Sequence, residues 1–280
     1  MNSLSEVQAL LGLPSVRLAF AALLLGSIAL PVVGVFIIGL DILPVRFAMM
    51  HVALLGSAVG LLAGLDPLVC ALLLCAVAGG SLAPLARAPA GLSGAMGLLM
   101  TLAVAAALLM LSVSGVNANG AFELLWGSIL ATRPGDVAVL AALAVVVPAL
   151  FWVRRRDLAL LLHDRELAVC SGVPAGPLTA ILLMLIAVAI AGAIRLTGAL
   201  LVDALTLLPA LAARRLGRSL TSMAGWAIGC GLAFNLGGFA LALLFDLPPG
   251  PVLVLFGGAL TLLIYVMPTI HLGQKARTRR

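Results

Sequence analysis

"RLTGALLVDALTLLPALAARRLGR" occupies residues 195–218 and places one carboxylate, Asp203, in the middle of an apolar run. No basic residue lies within seven positions of it on either side. An ionised group at membrane depth costs several kcal/mol, so it faces a cavity or a partner rather than lipid. The run ends in Arg214, Arg215 and Arg218, and Pro209 interrupts it. The stretch therefore reads as a short membrane span with a basic end and a polar group inside.

The rest of the chain fits that reading. Of 280 residues, 64% are hydrophobic and 9% charged, with a mean hydropathy of +1.27. Soluble domains carry about 25% charged residues, so this is a polytopic membrane protein. A spanning helix needs about 20 apolar residues. Candidate runs lie near 18–40, 47–64, 68–86, 92–113, 137–153, 177–194, 196–213, 222–245 and 252–268. The second and seventh are short or interrupted, so an all-α bundle of eight to nine spans is expected. Turn signals separate the runs: "GLDP" at 64–67, "RAPAG" at 87–91, "TRPGD" at 132–136, "GVPAGP" at 172–177 and "DLPPGP" at 246–251. Asp66 and Asp136 sit where an acid caps the free amides of a helix start.

Charge gives the topology. The net charge is +6, and its arginines cluster at 154–156 with 165, at 214–218, and in a tail at 269–280 that holds the only lysine, Lys275. Such clusters collect on the cytoplasmic side. Two spans fall between each pair of clusters, so all three share that side, and Arg87 joins them. "VSGVNANGAFELLWGS" and "FDLPPGP" then lie outside, and the C-terminus is cytoplasmic. Nine spans put the N-terminus outside and eight put it inside. In a membrane chain this charge reports orientation and not nucleic-acid binding.

Several chemistries are excluded or weakened. A phosphate-binding P-loop needs GxxxxGK[ST], and the lone lysine lies in the tail. ATP hydrolysis by this chain is thus not expected. No HExxH or Ser–His arrangement is visible. Cys70, Cys75, Cys170 and Cys230 lie in or beside apolar runs and read as packing residues. Gly56, Gly60 and Gly64 form a small-residue ridge, and Gly225 with Gly229 another pair, suited to close helix packing or to a subunit interface.

The connector "RRRDLALLLHDRELAVCSGVPAGP" (154–177) follows a basic cluster. Within its coupling portion, 157–174, "LLLHDRELAVCSGV" (160–173) reads as a short amphipathic helix ending at Ser171-Gly172. Leu158, Leu161, Leu162 and Leu167 supply an apolar face, and His163, Asp164, Arg165 and Glu166 a polar tip. Such a tip suits a groove in a soluble partner.

This segment resembles the cytoplasmic coupling loop of the zinc/manganese ABC-importer permease family, an acidic helix followed by "A-x-x-x-G-V", matched by Asp164, Glu166, Ala168, Gly172 and Val173. Residues 196–219 resemble the family's "VGALLV-x-x-L-x-x-x-PA-x-x-AR" run through Gly198, Ala199, Leu200, Leu201, Pro209, Ala210 and Arg214. Residues 34–60, 124–137 and 245–255 resemble three further family regions in the same order. The resemblance implies one transmembrane permease unit over 1–280, in a homodimer in the inner membrane. Two copies of an ATPase subunit would dock at the coupling segment, and an extracytoplasmic binding protein would deliver zinc or manganese. The chain itself would bind no cofactor.

The sequence departs from the family at one place. The family usually shows "D-x-x-x-H" in its first region; here His51 is kept, Phe47 stands in the acid's place, and Arg46, Met49 and Met50 flank it. Asp203 stands where the family has a small or apolar residue. We expect Asp203 to replace the lost acid and to form, with His51, the intramembrane metal site, because carboxylate and imidazole both bind zinc. Asn235 is a further candidate for the path, while Glu123 and Asp136 are candidates for contact with the binding protein. Two alternatives stay open: a different or chelated metal cargo, and an ion-gradient secondary transporter.

Overall fold

The computed structural model describes residues 12–84, 89–113 and 129–267, apart from the side chains of 89–93, 130, 195–197, 199, 200 and 203. Glu123, His271 and the basic tail lie outside these residues, as do Arg87 and most of the segment 113–128. All regular structure among the described residues is helical. The elements are α1 (Pro14–Gly39), α2 (Val45–Ala63), α3 (Pro67–Leu82), α4 (Pro89–Val113), α5 (Pro134–Val153), α6 (Arg155–His163), α7 (Arg165–Cys170), α8 (Ala175–Leu216), α9 (Leu220–Phe245) and α10 (Pro249–Val266). Seven helical stretches are long and apolar enough to cross a membrane, and α3, at 16 residues, is shorter.

The turn signals mark real boundaries. Helices α1, α3, α5 and α10 begin on proline, whose fixed φ suits the first turn and whose missing N–H costs nothing there. Asp66 caps α3, accepting from the Leu68 amide at 2.8 Å. Asp136 accepts from the Arg133 amide at 3.0 Å at the start of α5. It is only 5% exposed, so its carboxylate serves the helix start from inside the protein.

α8 runs through the centre, packing on α1, α2, α3, α5, α9 and α10. Its 42 residues would make a straight rod of about 63 Å at 1.5 Å per residue. The rod is not straight. Thr179, near its start, and Arg214, near its end, each line a hollow shared with Leu162 and His163. Straight helix would hold those two residues about 52 Å apart. Gly198 is the one residue inside α8 with non-helical backbone, at φ 71° and ψ 166°, a region open essentially to glycine alone. The chain therefore folds back there, and legs 175–197 and 199–216 return to the same end of the bundle.

Small residues set the helix spacings. A Cβ on Gly56 would meet Ala71 Cα at 2.6 Å, and one on Gly60 would meet Pro67 Cα at 2.7 Å. These two glycines are filled by α3 of the same chain, whereas Gly64, the third of the expected ridge, ends α2 at φ 67° and faces open space. Gly225 and Gly229 face open space, so that pair serves no packing within the described chain. Gly231 of α9 admits Pro31 of α1, whose Cγ would lie 2.6 Å from a Cβ at position 231.

Candidate functional site

The connector 154–177 is built by caps. α6 starts behind an exposed Arg154–Asp157 pair at 3.1 Å, a contact worth little by itself. Leu158 and Leu161 are buried, at 0% and 4% exposed, and hold α6 on the bundle. At Asp164 the backbone becomes extended, at φ −155° and ψ 119°. Its carboxylate oxygen Oδ1 accepts from the Glu166 amide at 2.8 Å and the Leu167 amide at 3.0 Å. This cap starts α7 as a separate helix, so the expectation of one short helix over 160–173 is corrected to two helices with a corner.

α7 ends in a Schellman motif: Val173 N–H donates to Ala168 O and Gly172 N–H to Val169 O, each at 3.0 Å. Gly172 takes the positive φ, 81°, that this ending needs. Ala168 is fully buried and anchors the helix. Leu167 does not face inward as expected. It is 48% exposed, and Val169 is 57% exposed. The corner at Asp164 rotates α7 so that Ala168 takes the inner position. His163, Asp164, Glu166 and Gly172 are exposed around this apolar tip, and Arg165 is half-buried. The structure thus brings His163, Asp164, Arg165, Glu166 and Gly172 around one exposed knob anchored by Ala168.

His51 is half-buried in α2. Its Nδ1–H donates to the Phe47 carbonyl at 2.6 Å. That bond fixes the tautomer and leaves Nε2 as the acceptor that can ligate a metal. Phe47, in the place of the acid, is 42% exposed. The Arg46 guanidinium lies 4.9 Å from its ring centroid, and Arg46 Nε–H donates to the Leu43 carbonyl at 3.3 Å. Met49 and Met50 are buried at 0% and 7% exposed. Both therefore pack, and the Met49 carbonyl accepts from the Cys75 thiol at 3.5 Å.

Asp203 sits on the second leg of α8, five residues beyond the break; its side chain lies outside the described atoms. Asn235 is 3% exposed, and its amide donates to Ser27 Oγ at 2.7 Å. Ser27 in turn donates to the Leu23 carbonyl at 2.6 Å. The Asn235 amide is therefore engaged in clamping α9 to α1. Among the described residues, no three His, Cys, Asp or Glu side chains are grouped to hold an ion.

Sequence reasoning missed Ser27 and the corner at Asp164, and it divided α8 at residue 195 rather than at Gly198. Ser27 had a signal, as a lone hydroxyl in an apolar run. Gly198 stood out only as a motif position.

The family description "ABC 3 transport family" matches residues 13–268. A "probable metal transport system membrane protein" of Thermotoga maritima is 29% identical over 58% of this chain and 58% of its own length. The "high-affinity zinc uptake system membrane protein ZnuB" of Haemophilus influenzae is 31% identical over 47% of this chain and 50% of its own. The chain thus spans somewhat more than half the length of these relatives at most. The structure of PsaBC from Streptococcus pneumoniae in complex with Fab superposes with a TM-score of 0.81, covering 95% of this chain and 96% of that chain at 21% identity. At that identity the likeness concerns the fold.

Proposed function

Because this chain belongs to the ABC 3 transport family, we propose that it is the permease subunit of an importer of divalent metal, zinc or manganese. The observation that carries the proposal is the exposed knob at α7, capped at both ends with Leu167 and Val169 outward. It stands at the same end of the bundle as Arg154, Arg214 and Arg218. A rigid, partly apolar tip beside a basic surface suits a groove on a soluble motor subunit. ATP hydrolysis then belongs to that partner, two copies per homodimer. A binding protein delivers the ion at the opposite face.

In this reading the chain crosses the inner membrane nine times. α1 enters from outside, the two legs of α8 count separately, and the C-terminus is cytoplasmic. His51 Nε2 and Asp203 line the path. Each contact worth about 1.4 kcal/mol changes occupancy tenfold. His51→Ala and Asp203→Asn are each expected to lower metal uptake about tenfold in cells expressing the permease with its ATPase and binding protein. Unchanged zinc and manganese uptake in both variants would remove these residues from the path. Co-purification of the ATPase with the tagged permease tests the coupling knob separately.

A second reading keeps the family and changes the cargo to a chelated metal. It is favoured by the cationic Arg46 over Phe47 beside His51, a poor neighbour for a bare dication and a good one for an anionic complex.

A further inference from the structure

At the basic end of the bundle two hollows are both lined by α1 and α9, and their linings meet at the consecutive residues Met223 and Ala224. The first, about 520 Å³, lies between Gly39 of α1, His163 of α6, Arg214 and Arg218 at the end of α8, and Leu220 and Met223 of α9. The second, about 380 Å³, lies between Val32 of α1, Phe151 and Trp152 of α5, and Ala224, Gly225 and Ile228 of α9. On α9 the second hollow starts beside the first, at Thr221 and Ala224, and it extends further along both helices. Val32 precedes Gly39 by about two turns, and Ile228 follows Leu220 by about two turns. A basic hollow and an apolar groove therefore lie next to each other on α1 and α9.

The two halves differ in chemistry. Among the described residues Arg214 makes no hydrogen bond or ion pair. In the groove Gly225 leaves open space where a side chain would stand. Trp152, 60% exposed, stands on the groove wall with the Arg155 guanidinium 5.1 Å from its ring, the pairing of an aromatic and a cation found at headgroup depth. A soluble anion has no use for the groove, and an uncharged chain has none for the arginines. An amphiphile with an anionic head uses both. Basic pockets between transmembrane helices bind acidic headgroups in this way.

We propose that this paired hollow binds an anionic phospholipid, its phosphate at Arg214 and Arg218 and one acyl chain against Gly225. The leaflet is the cytoplasmic one if the topology above holds. The site itself rests only on the chain spanning a membrane, not on what it transports.

The test is native mass spectrometry of the full-length protein in mild detergent, titrated with phosphatidylglycerol or phosphatidylcholine. The wild type is expected to retain phosphatidylglycerol preferentially. Arg214→Ala with Arg218→Ala is expected to lower that preference about tenfold, and the double Lys variant to keep it. Gly225→Leu fills the groove and is expected to weaken retention of both lipids. Excess inorganic phosphate is expected to leave the lipid in place. Equal retention of the two lipids by the wild type overturns the proposal, as does displacement by phosphate. So does retention of neither lipid, which would leave the arginines to an acidic protein face. If the double Ala variant fails to fold, Gly225→Leu decides, and unchanged retention there also overturns it. Metal uptake does not enter, so His51→Ala, expected to fail in uptake, is expected to hold lipid normally.

Discussion

Gly198 carries the sharpest residue-scale demand. At φ 71° and ψ 166° any side chain adds strain of about 1–3 kcal/mol. Gly198→Ala is expected to lower the melting temperature and the folded yield. Gly97→Ala, whose Cβ would enter open space on α4, is expected to leave both unchanged. Thermal denaturation followed by size-exclusion chromatography compares the two, and equal stability would mean that the break tolerates a side chain. The Asn235–Ser27 bond is a smaller matter. Interhelical hydrogen bonds in membranes average about 0.6 kcal/mol, so Asn235→Ala is expected to cost about that much in unfolding free energy and to couple with Ser27→Ala in a double-mutant cycle. A loss of uptake far beyond this stability cost would return Asn235 to the translocation path.

At the scale of the element, α7 depends on its caps more than on its length. Six residues cannot hold a helix by propensity alone. Asp164→Ala removes acceptance from two amides and is expected to cost about 1 kcal/mol, fraying the knob and reducing recovery of the ATPase on the tagged permease. Asp164→Asn keeps a good cap and is expected to restore it. Leu167→Glu leaves the fold alone, since the side chain is already half exposed, and is expected to abolish ATPase recovery. Normal recovery with Leu167→Glu would move the docking surface elsewhere. The sequence showed the leucine pattern and the Gly172 ending of this connector, but not the corner. Periodicity is read along one continuous helix, and the Asp164 carboxylate competes with the backbone for the Glu166 and Leu167 amides. Once that competition wins, Ala168 replaces Leu167 on the buried side.

For the whole molecule the decisive feature is that α8 returns on itself. Single cysteines at Ser171 and Arg218, in a background with the native cysteines removed, are expected to react with an impermeant thiol reagent from one side of the membrane. A cysteine at the exposed Leu65 is expected to react from the other. Labelling of 171 and 218 from opposite sides would rule out the reversal. By itself the sequence determined the membrane class and the helix boundaries at proline and aspartate. These follow from local chemistry: apolar length against bilayer thickness, amides that need caps, and charges that stay out of hydrocarbon. Only the tertiary structure decided that Gly56 and Gly60 pack within the chain while Gly225 does not, that Asn235 reaches Ser27, and that Leu167 faces out. Each of those depends on which helix lies opposite, and that is set by contacts between residues far apart in the chain.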